Sequence, residues 1–115
     1  MDYQALFLTN DGRINRAPFW IGGIILAVAN FVAAIIIGII AGRGSLAGAL
    51  EFIVAVALIY PSVNLGIKRF HDRGKSGWWV LISLVAVIGW IWYFVEAGCL
   101  RGTPGPNQYG PDPLG

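Results

Sequence analysis

The sequence predicts an all-α membrane protein with three transmembrane helices, on the basis of its composition, its charge distribution and its apolar runs. Of its 115 residues, 57% are hydrophobic and only 12% are charged, whereas soluble domains carry about 25% charged residues. The mean hydropathy is +0.68. The charges lie almost entirely outside three apolar blocks, which is typical of an integral membrane protein. The net charge of +2 is too small to indicate binding to nucleic acid.

Each apolar run is long enough to cross a bilayer as a helix. The runs cover residues 18–42, 46–67 and 77–100, and about 20 helical residues cross ~30 Å of hydrocarbon. A helix is required because an open strand would leave backbone groups unpaired in lipid. Only residues 43–45 separate the first two runs, which predicts a tight antiparallel hairpin.

Three further segments complete the predicted organisation of one integral membrane domain, residues 1–115. Residues 1–17 are predicted to form an N-terminal interfacial segment with a short helix that lies against the inner leaflet. Residues 68–76 form a basic loop, and residues 101–115 form an irregular tail rich in Pro and Gly. The sequence leaves open whether this tail is solvated or folds back and docks through Tyr109.

The placement of Lys and Arg predicts the orientation of the three helices, because cytoplasmic loops carry an excess of both residues. The excess places the N-terminus and the loop in the cytoplasm and the tail outside. The residues on the predicted inner side are Arg13, Arg16, Lys68, Arg69, Arg73 and Lys75, and those on the outer side are Arg43 and Arg101.

In one alternative, Gly89 breaks the third run into two re-entrant halves of about 12 residues, each only ~18 Å long, and the tail stays inside.

The stretch RFHDRGKSGWW, residues 69–79, contains the only histidine of the chain, His71. No serine or cysteine nucleophile with a partnering motif lies near it, and one histidine with one cysteine is too few for a dedicated metal cluster. We therefore predict no catalytic, cofactor-binding or metal-binding residue. We interpret the stretch as part of a basic collar that binds lipid headgroups or a partner at the inner membrane surface. The residues predicted to bind there are Arg13, Arg16, Lys68, Arg69, His71, Asp72, Arg73, Lys75, Trp78 and Trp79.

Four polar residues are predicted to lie inside the membrane, namely Asn30, Glu51, Asn64 and Glu96. We interpret the two glutamates as structural, because each lies near an end of its run and can reach water or pair with an arginine. Asn30 is expected to join two helices through its amide. The alternative is a relay of protons or cations across the bilayer.

Three segments of the chain have a distinctive composition and spacing, namely GRINRAPFW at residues 12–20, KRFHDRGKSGWW at 68–79 and GTPGPNQYGPDP at 102–113. Together with the three apolar runs, they resemble the motifs of the bacterial membrane proteins of domain of unknown function 805. Pro18 stands where that family often has an acidic or polar residue, and Gln108 replaces a frequent arginine. The resemblance implies a small inner-membrane protein and supplies no established activity.

These observations lead to three hypotheses about function. The first is a non-enzymatic scaffold of the bacterial inner (plasma) membrane, whose partners are membrane lipids, further copies of the chain or another membrane protein. The second is a small oligomeric transporter or channel that uses Glu51, Glu96 and Asn30. The third is a membrane enzyme that acts on lipid headgroups through His71 and Asp72.

Overall fold

The computed structural model of the chain describes residues 2–114. Met1 and Gly115, the outermost residues of the predicted N-terminal segment and tail, lie outside the described residues. Within residues 2–114 the structure is helical, and its only β feature is an isolated bridge between Asn107 and Gly110. The helices are α1 (Tyr3–Leu8), α2 (Arg16–Ala41), α3 (Ser45–Asp72), a 3-10 helix (Gly77–Leu84), α4 (Ile88–Tyr93) and a π-helix (Phe94–Cys99).

Helices α2 and α3 are the two that are long and apolar enough to cross a membrane, with 26 and 28 residues. The backbone N–H of Ile14 donates to the carbonyl of Lys68, so the start of α2 lies beside the end of α3. Gly22 of α2 faces the side chain of Leu65, and a Cβ at Gly22 would press on it. The two helices therefore run antiparallel and in close contact, joined by the short link Gly42–Gly44.

The third apolar run differs from the prediction, because residues 77–100 do not form one continuous helix. The 3-10 helix ends at Leu84, the chain turns at residues 85–87, and α4 followed by the π-helix leads back. Val87 has a φ of 64°, in the left-handed region that β-branched residues rarely adopt. The chain returns to its starting end, where the backbone N–H of Thr103 donates to the carbonyl of Asp72 at 2.6 Å. The run thus forms two short halves that fold back on each other, as the alternative with a break at Gly89 expects, and the turn lies a few residues before Gly89. From this shape we call residues 77–99 the re-entrant segment.

The two halves of this re-entrant segment approach each other closely at Gly89. A Cβ at this position would collide with the backbone carbonyl oxygen of Ile82 in the 3-10 helix. The indole N–H of Trp90 donates to the carbonyl of Ser83 at 3.0 Å, which also holds the turn closed. Hydropathy alone cannot reveal such a turn, because the run is apolar from end to end and only its glycine permits the close approach.

The re-entrant segment places the tail at the same end of the α2–α3 pair as the N-terminal segment and the loop. We call this end, which carries residues 2–16, 68–76 and 96–114, the polar end, and the end at Gly42–Gly44 the hairpin end. We predicted that the loop and the tail lie at opposite ends of a third helix, and this prediction is wrong. The physical reason is that neither half of the segment is long enough to cross ~30 Å of hydrocarbon.

Substitution of Gly89 tests the re-entrant turn. We expect Gly89→Ala to lower the free energy of unfolding by about 1–3 kcal/mol, because a backbone carbonyl blocks the new methyl group. Thermal unfolding of the purified protein in detergent measures the effect. Gly48→Ala is the matched control, because a Cβ there meets open space within a helix and should be neutral or slightly stabilising. Equal unfolding midpoints for the two variants would contradict the turn.

Candidate functional site

Asp72 forms the centre of the polar end. Its Oδ1 accepts a hydrogen bond from Nε of Arg13 at 3.0 Å, and its Oδ2 accepts one from Nη1 of Arg69 at 2.6 Å. The three side chains are 3%, 1% and 0% exposed. A Cβ at Gly102 would collide with the Asp72 carboxylate, so the tail passes directly over the ion pairs. One buried carboxylate therefore holds together the N-terminal segment, α3 and the start of the tail.

The carbonyl groups of residues 97–100, at the end of the π-helix and just after it, accept hydrogen bonds from side chains of α2 and α3. A helix leaves its last four carbonyls without partners in the helix itself, and such groups are costly to bury unpaired. Here, residues 97–100 supply the carbonyls, and two arginines and a tryptophan supply the donors. The pairs are Arg69 with Ala97 (2.6 Å) and with Leu100, Trp20 with Gly98 (2.7 Å), and Arg16 with Cys99 (2.9 Å).

The end of α1 is held in the same way. Its last four residues, 5–8, present carbonyls that the short helix cannot satisfy. The donors lie four residues apart on α3, so they form one stripe along that helix. The pairs are Lys68 with Ala5 and Leu6, Asn64 with Phe7 (2.8 Å), and Tyr60 with Leu8 (3.2 Å).

The tail is docked, which decides between the two alternatives that the sequence left open. The rings of His71 and Tyr109 are stacked, with centroids 3.8 Å apart and an interplanar angle of 3°. The amide of Asn107 donates to the carbonyl of His71 at 2.9 Å. Nδ1 of His71 lies 2.9 Å from the carbonyl oxygen of Gly12, so this nitrogen carries the proton and donates. His71 thus links the N-terminal segment, α3 and the tail.

Arg13 and Asp112 fix the turns of the tail. The guanidinium of Arg13 donates to the carbonyls of Thr103 at 2.5 Å and Gly105 at 2.7 Å. The Asp112 carboxylate accepts from the backbone N–H groups of Leu114 and Gly105, both at 2.9 Å. These two hydrogen bonds lower the pKa of the Asp112 carboxyl below its ordinary value. Because the pKa is lowered in the folded state, this contribution to docking is lost as the pH falls through that pKa.

The remaining cations of the loop differ in their surroundings. Lys75 forms an ion pair with Glu96 and lies 4.6 Å from the ring centroid of Trp79. Arg73 donates to the carbonyl of Arg101 at 2.6 Å, and its Nε has no acceptor in the part of the chain that the structure describes. Among residues 2–114, no three His, Cys, Asp or Glu side chains are grouped as a metal site would require.

The sequence of the chain is matched over residues 7–111 by the profile of the family described as "Protein of unknown function (DUF805)". The chain belongs to this family. It is 32% identical over 118 residues to the inner membrane protein YhaH of Escherichia coli (strain K12), covering 98% of this chain and 97% of YhaH. It is 34% identical over 103 residues to the inner membrane protein YhaI of the same organism, covering 90% and 84% of the two chains.

A further relative of this DUF805 chain is the uncharacterized protein YiiR of the same organism, which is 26% identical over 136 residues and covers 97% of this chain and 90% of YiiR. No solved structure matches the chain. The predicted resemblance is confirmed, and the family with the two long apolar helices identifies an integral membrane protein. The family description supplies no activity for the polar end.

The structure brings most of the predicted collar together at the polar end, but it buries part of it. Lys68 and Arg69 are 3% and 0% exposed and bind carbonyl groups. Arg13 and Asp72 are likewise buried, in an ion pair with each other. In this structure these four side chains do not reach the surface. Trp78 is 78% exposed, in contrast. The predicted intramembrane residues separate. Glu96 belongs to the polar end, and the buried Asn64 donates to the carbonyl of Phe7 there, whereas Asn30 and Glu51 lie exposed on α2 and α3.

Sequence reasoning missed the roles of Tyr60 and Trp20 as donors to helix ends. The spacing of Tyr60, Asn64 and Lys68 at four-residue intervals was the available signal, because it places three polar side chains on one stripe of an apolar helix. No comparable signal exists for Trp20, whose carbonyl partner on Gly98 is distant in sequence.

Removing the charge of Asp72 tests whether it holds the polar end together. We expect Asp72→Asn to lower the free energy of unfolding by about 3–5 kcal/mol, because Arg13 and Arg69 stay buried without a counter-charge. Thermal unfolding in detergent measures this loss. Asp11→Asn removes an exposed carboxylate that forms no ion pair among the described residues, and it should change stability by less than about 0.5 kcal/mol. If Asp72→Asn also costs less than about 0.5 kcal/mol, the hydrogen bonds from the arginines to backbone carbonyls hold the polar end together without the carboxylate.

Substitution of Tyr109 tests the docking of the tail. An aromatic pair contributes about 0.5–1.5 kcal/mol, so we expect Tyr109→Ala to raise the open fraction of the tail about two- to tenfold. The rate of cleavage of the tail by a nonspecific protease reports this fraction. Gln108→Ala, a change at the exposed neighbouring residue, should leave the rate unaltered. If both variants are cleaved equally fast, the stacked rings do not hold the tail.

Proposed function

We propose that this protein is a non-enzymatic scaffold of the inner membrane that binds anionic phospholipid at its polar end. The observation that carries this proposal is a group of arginines there that have no carboxylate partner. Seven of the eight Lys and Arg residues lie at the polar end, and the eighth, Arg43, lies at the hairpin end.

The ion pairs of the polar end leave three arginines without a counter-charge. The single negative charge of Asp72 is shared by Arg13 and Arg69, and Glu96 pairs with Lys75. Lys68 is buried against the carbonyls of α1. At the polar end, the arginines that form no ion pair within residues 2–114 are Arg16, Arg73 and Arg101.

Two of these arginines bind the short stretch of chain at the end of the π-helix. Arg16 binds the carbonyl of Cys99, and Arg73 binds that of Arg101, two residues further on. The buried Arg69 binds the carbonyl of Leu100 between them. The two guanidinium groups are therefore both held against this stretch of three residues.

A phosphate group is the natural partner for such a pair of guanidinium groups. Arginine presents several N–H donors in a fork that matches phosphate oxygens, and the bonds made to Cys99 and Arg101 leave further donors of each fork free. Each basic residue near an anionic membrane surface contributes about 1 kcal/mol to attraction. Trp78, exposed beside the polar end, suits the headgroup region, where tryptophan is enriched.

The same charge distribution supports an orientation with both termini in the cytoplasm. With the tail at the polar end, Lys and Arg divide seven to one between the two ends of the α2–α3 pair. Cytoplasmic segments carry the excess of these residues. We infer that α2 and α3 span the membrane as a hairpin and that the segment 77–99 enters and leaves on the cytoplasmic side.

A structural role for His71 and Glu96 supports a scaffold over the two alternatives. The ring of His71 is stacked on Tyr109 and bonded to Gly12, which suits an anchor for the tail better than a general base. Glu96 pairs with Lys75 at the polar end. Glu51 lies near the start of α3, ~30 Å along the helix from the end at Asp72. The two glutamates are therefore too far apart to exchange a proton directly.

Retention of lipid during purification tests the proposal. We expect wild-type protein, extracted from membranes and purified in mild detergent, to retain phosphatidylglycerol over phosphatidylethanolamine in mass spectra of the intact protein. Combined Arg16→Gln, Arg73→Gln and Arg101→Gln substitutions should reduce the retained phosphatidylglycerol about tenfold or more, because each basic residue contributes about 1 kcal/mol.

Arg43→Gln is the matched control, because Arg43 is exposed like Arg16 and Arg101 but lies at the hairpin end. This variant should retain phosphatidylglycerol as the wild type does. Equal loss in the control and the triple variant, or no preference for phosphatidylglycerol in the wild type, would refute lipid binding at the polar end.

A further inference from the structure

The half of the α2–α3 pair that lies toward the hairpin end has no third helix beside it. The 3-10 helix Gly77–Leu84 rises ~2.0 Å per residue and so reaches only ~16 Å from the polar end, about half of a ~30 Å hydrocarbon core. Beyond the turn at residues 85–87, two helices alone face the lipid. The short re-entrant segment thus leaves one face of the pair uncovered.

A groove of about 730 Å³ lies between α2, α3 and the 3-10 helix, at the border of this uncovered half. Small residues line it on both long helices, and small residues allow a further helix to approach closely in a membrane. The groove is apolar except for a few polar side chains. Its lining includes Gly23, Ala27 and Asn30 of α2, Ala55 and Ser62 of α3, and Leu84 of the 3-10 helix.

Asn30 is the polar residue that most needs a partner on this face. It is exposed, and its amide forms no hydrogen bond among the described residues. It lies ten residues after Trp20, or ~15 Å along the helix, which corresponds to the middle of the hydrocarbon core. An unpaired amide is unfavourable there, since lipid chains offer neither donor nor acceptor.

Two opposite charges lie on the same half of the molecule without an ion pair. Arg43 in the link and Glu51 of α3 are both exposed, and none of the ion pairs within residues 2–114 includes either. Glu51 precedes Ala55 by four residues and Leu58 by seven, so it shares their stripe on α3. Ala55 and Leu58 both line the groove. The carboxylate therefore belongs to the same open face as Asn30.

We propose that two copies of this chain form a two-fold symmetric dimer through this open face. The Asn30 amides of the two copies bond to each other, and Arg43 of each copy pairs with Glu51 of the other. A two-fold axis along the membrane normal keeps both copies in the same orientation in the membrane. With this axis, the contact between Arg43 and Glu51 occurs twice. An amide is both a donor and an acceptor, so Asn30 complements itself across such an axis.

A second copy satisfies requirements that a lipid in the groove does not. A lipid chain fills the apolar part of the groove but leaves the amide at mid-depth unpaired. The second copy supplies an amide at the same depth and a charge opposite to each of Arg43 and Glu51. The dimer does not depend on lipid binding, because its residues lie in α2, the link and α3, away from Arg16, Arg73 and Arg101.

Charge reversal on two differently labelled copies tests the dimer. Copies that carry donor and acceptor fluorophores are reconstituted in vesicles of phosphatidylcholine and phosphatidylglycerol, and energy transfer measures their association. We expect Arg43→Glu alone and Glu51→Arg alone each to weaken association about tenfold or more, because each brings like charges together twice. A mixture of the two variants should regain association within about threefold of wild type, since opposite charges then meet at both positions.

Two further variants separate the interface from general effects of substitution. Asn30→Leu should weaken association about threefold, the equivalent of one average hydrogen bond between membrane helices. Asp11→Arg, which reverses an exposed charge at the polar end, should leave association unchanged. The proposal is overturned if the mixture associates no better than each variant alone, or if the wild type shows no energy transfer. Loss of lipid retention is expected from substitutions at the polar end, and loss of association from substitutions of Arg43, Glu51 and Asn30, so either proposal can fail without the other.

Discussion

The free carbonyl groups at the ends of two short helices are the constraint on which this structure depends. Neither α1 nor the π-helix is long enough to be stable alone, and each presents four carbonyls that its own backbone cannot satisfy. Next to a membrane, water cannot be relied on to supply the missing donors. Side chains of α2 and α3 supply all of them, at residues 5–8 in α1 and 97–100 after the π-helix. The two long helices thus act as the template on which the short elements fold.

This constraint explains why so many cations cluster in a chain with few charges. Arginine and lysine can donate several hydrogen bonds to neutral carbonyls, so they satisfy helix ends without needing a carboxylate for each charge. Arg69 alone donates hydrogen bonds to the carbonyls of Ala97 and Leu100 and to the Asp72 carboxylate. The polar end therefore keeps a surplus of positive charge. That surplus is what we propose attracts anionic lipid.

The sequence predicted the parts of the fold that depend on local pattern. The two long apolar helices and the short N-terminal helix agree with the local composition. The third run misled the prediction because hydropathy measures only length and polarity. Its turn depends on the contact of Gly89 with the Ile82 carbonyl and on bonds from distant side chains to residues 97–100.

The candidate site was predictable as a cluster and not as a set of contacts. The basic residues of 68–76 stand close together in the sequence, but their partners lie in α1, the π-helix and the tail, so their burial follows from the tertiary fold. Lys68 and Arg69 illustrate the difference, because adjacent cations with the same predicted role cap two different helices. Asn30 shows the converse, since its expected helix-to-helix bond has no partner among the described residues of a single chain.

The polar end and the re-entrant segment depend on each other. If residues 77–100 formed one spanning helix, the carbonyls of residues 97–100 would lie at the hairpin end, beyond the reach of Arg16, Trp20 and Arg69. Arg69 would then lose its acceptors on Ala97 and Leu100, and those carbonyls would lose their side-chain donor. Arg101 would also move to the hairpin end, and the division of Lys and Arg would fall from seven and one to six and two. Capping and charge asymmetry therefore both favour the re-entrant fold.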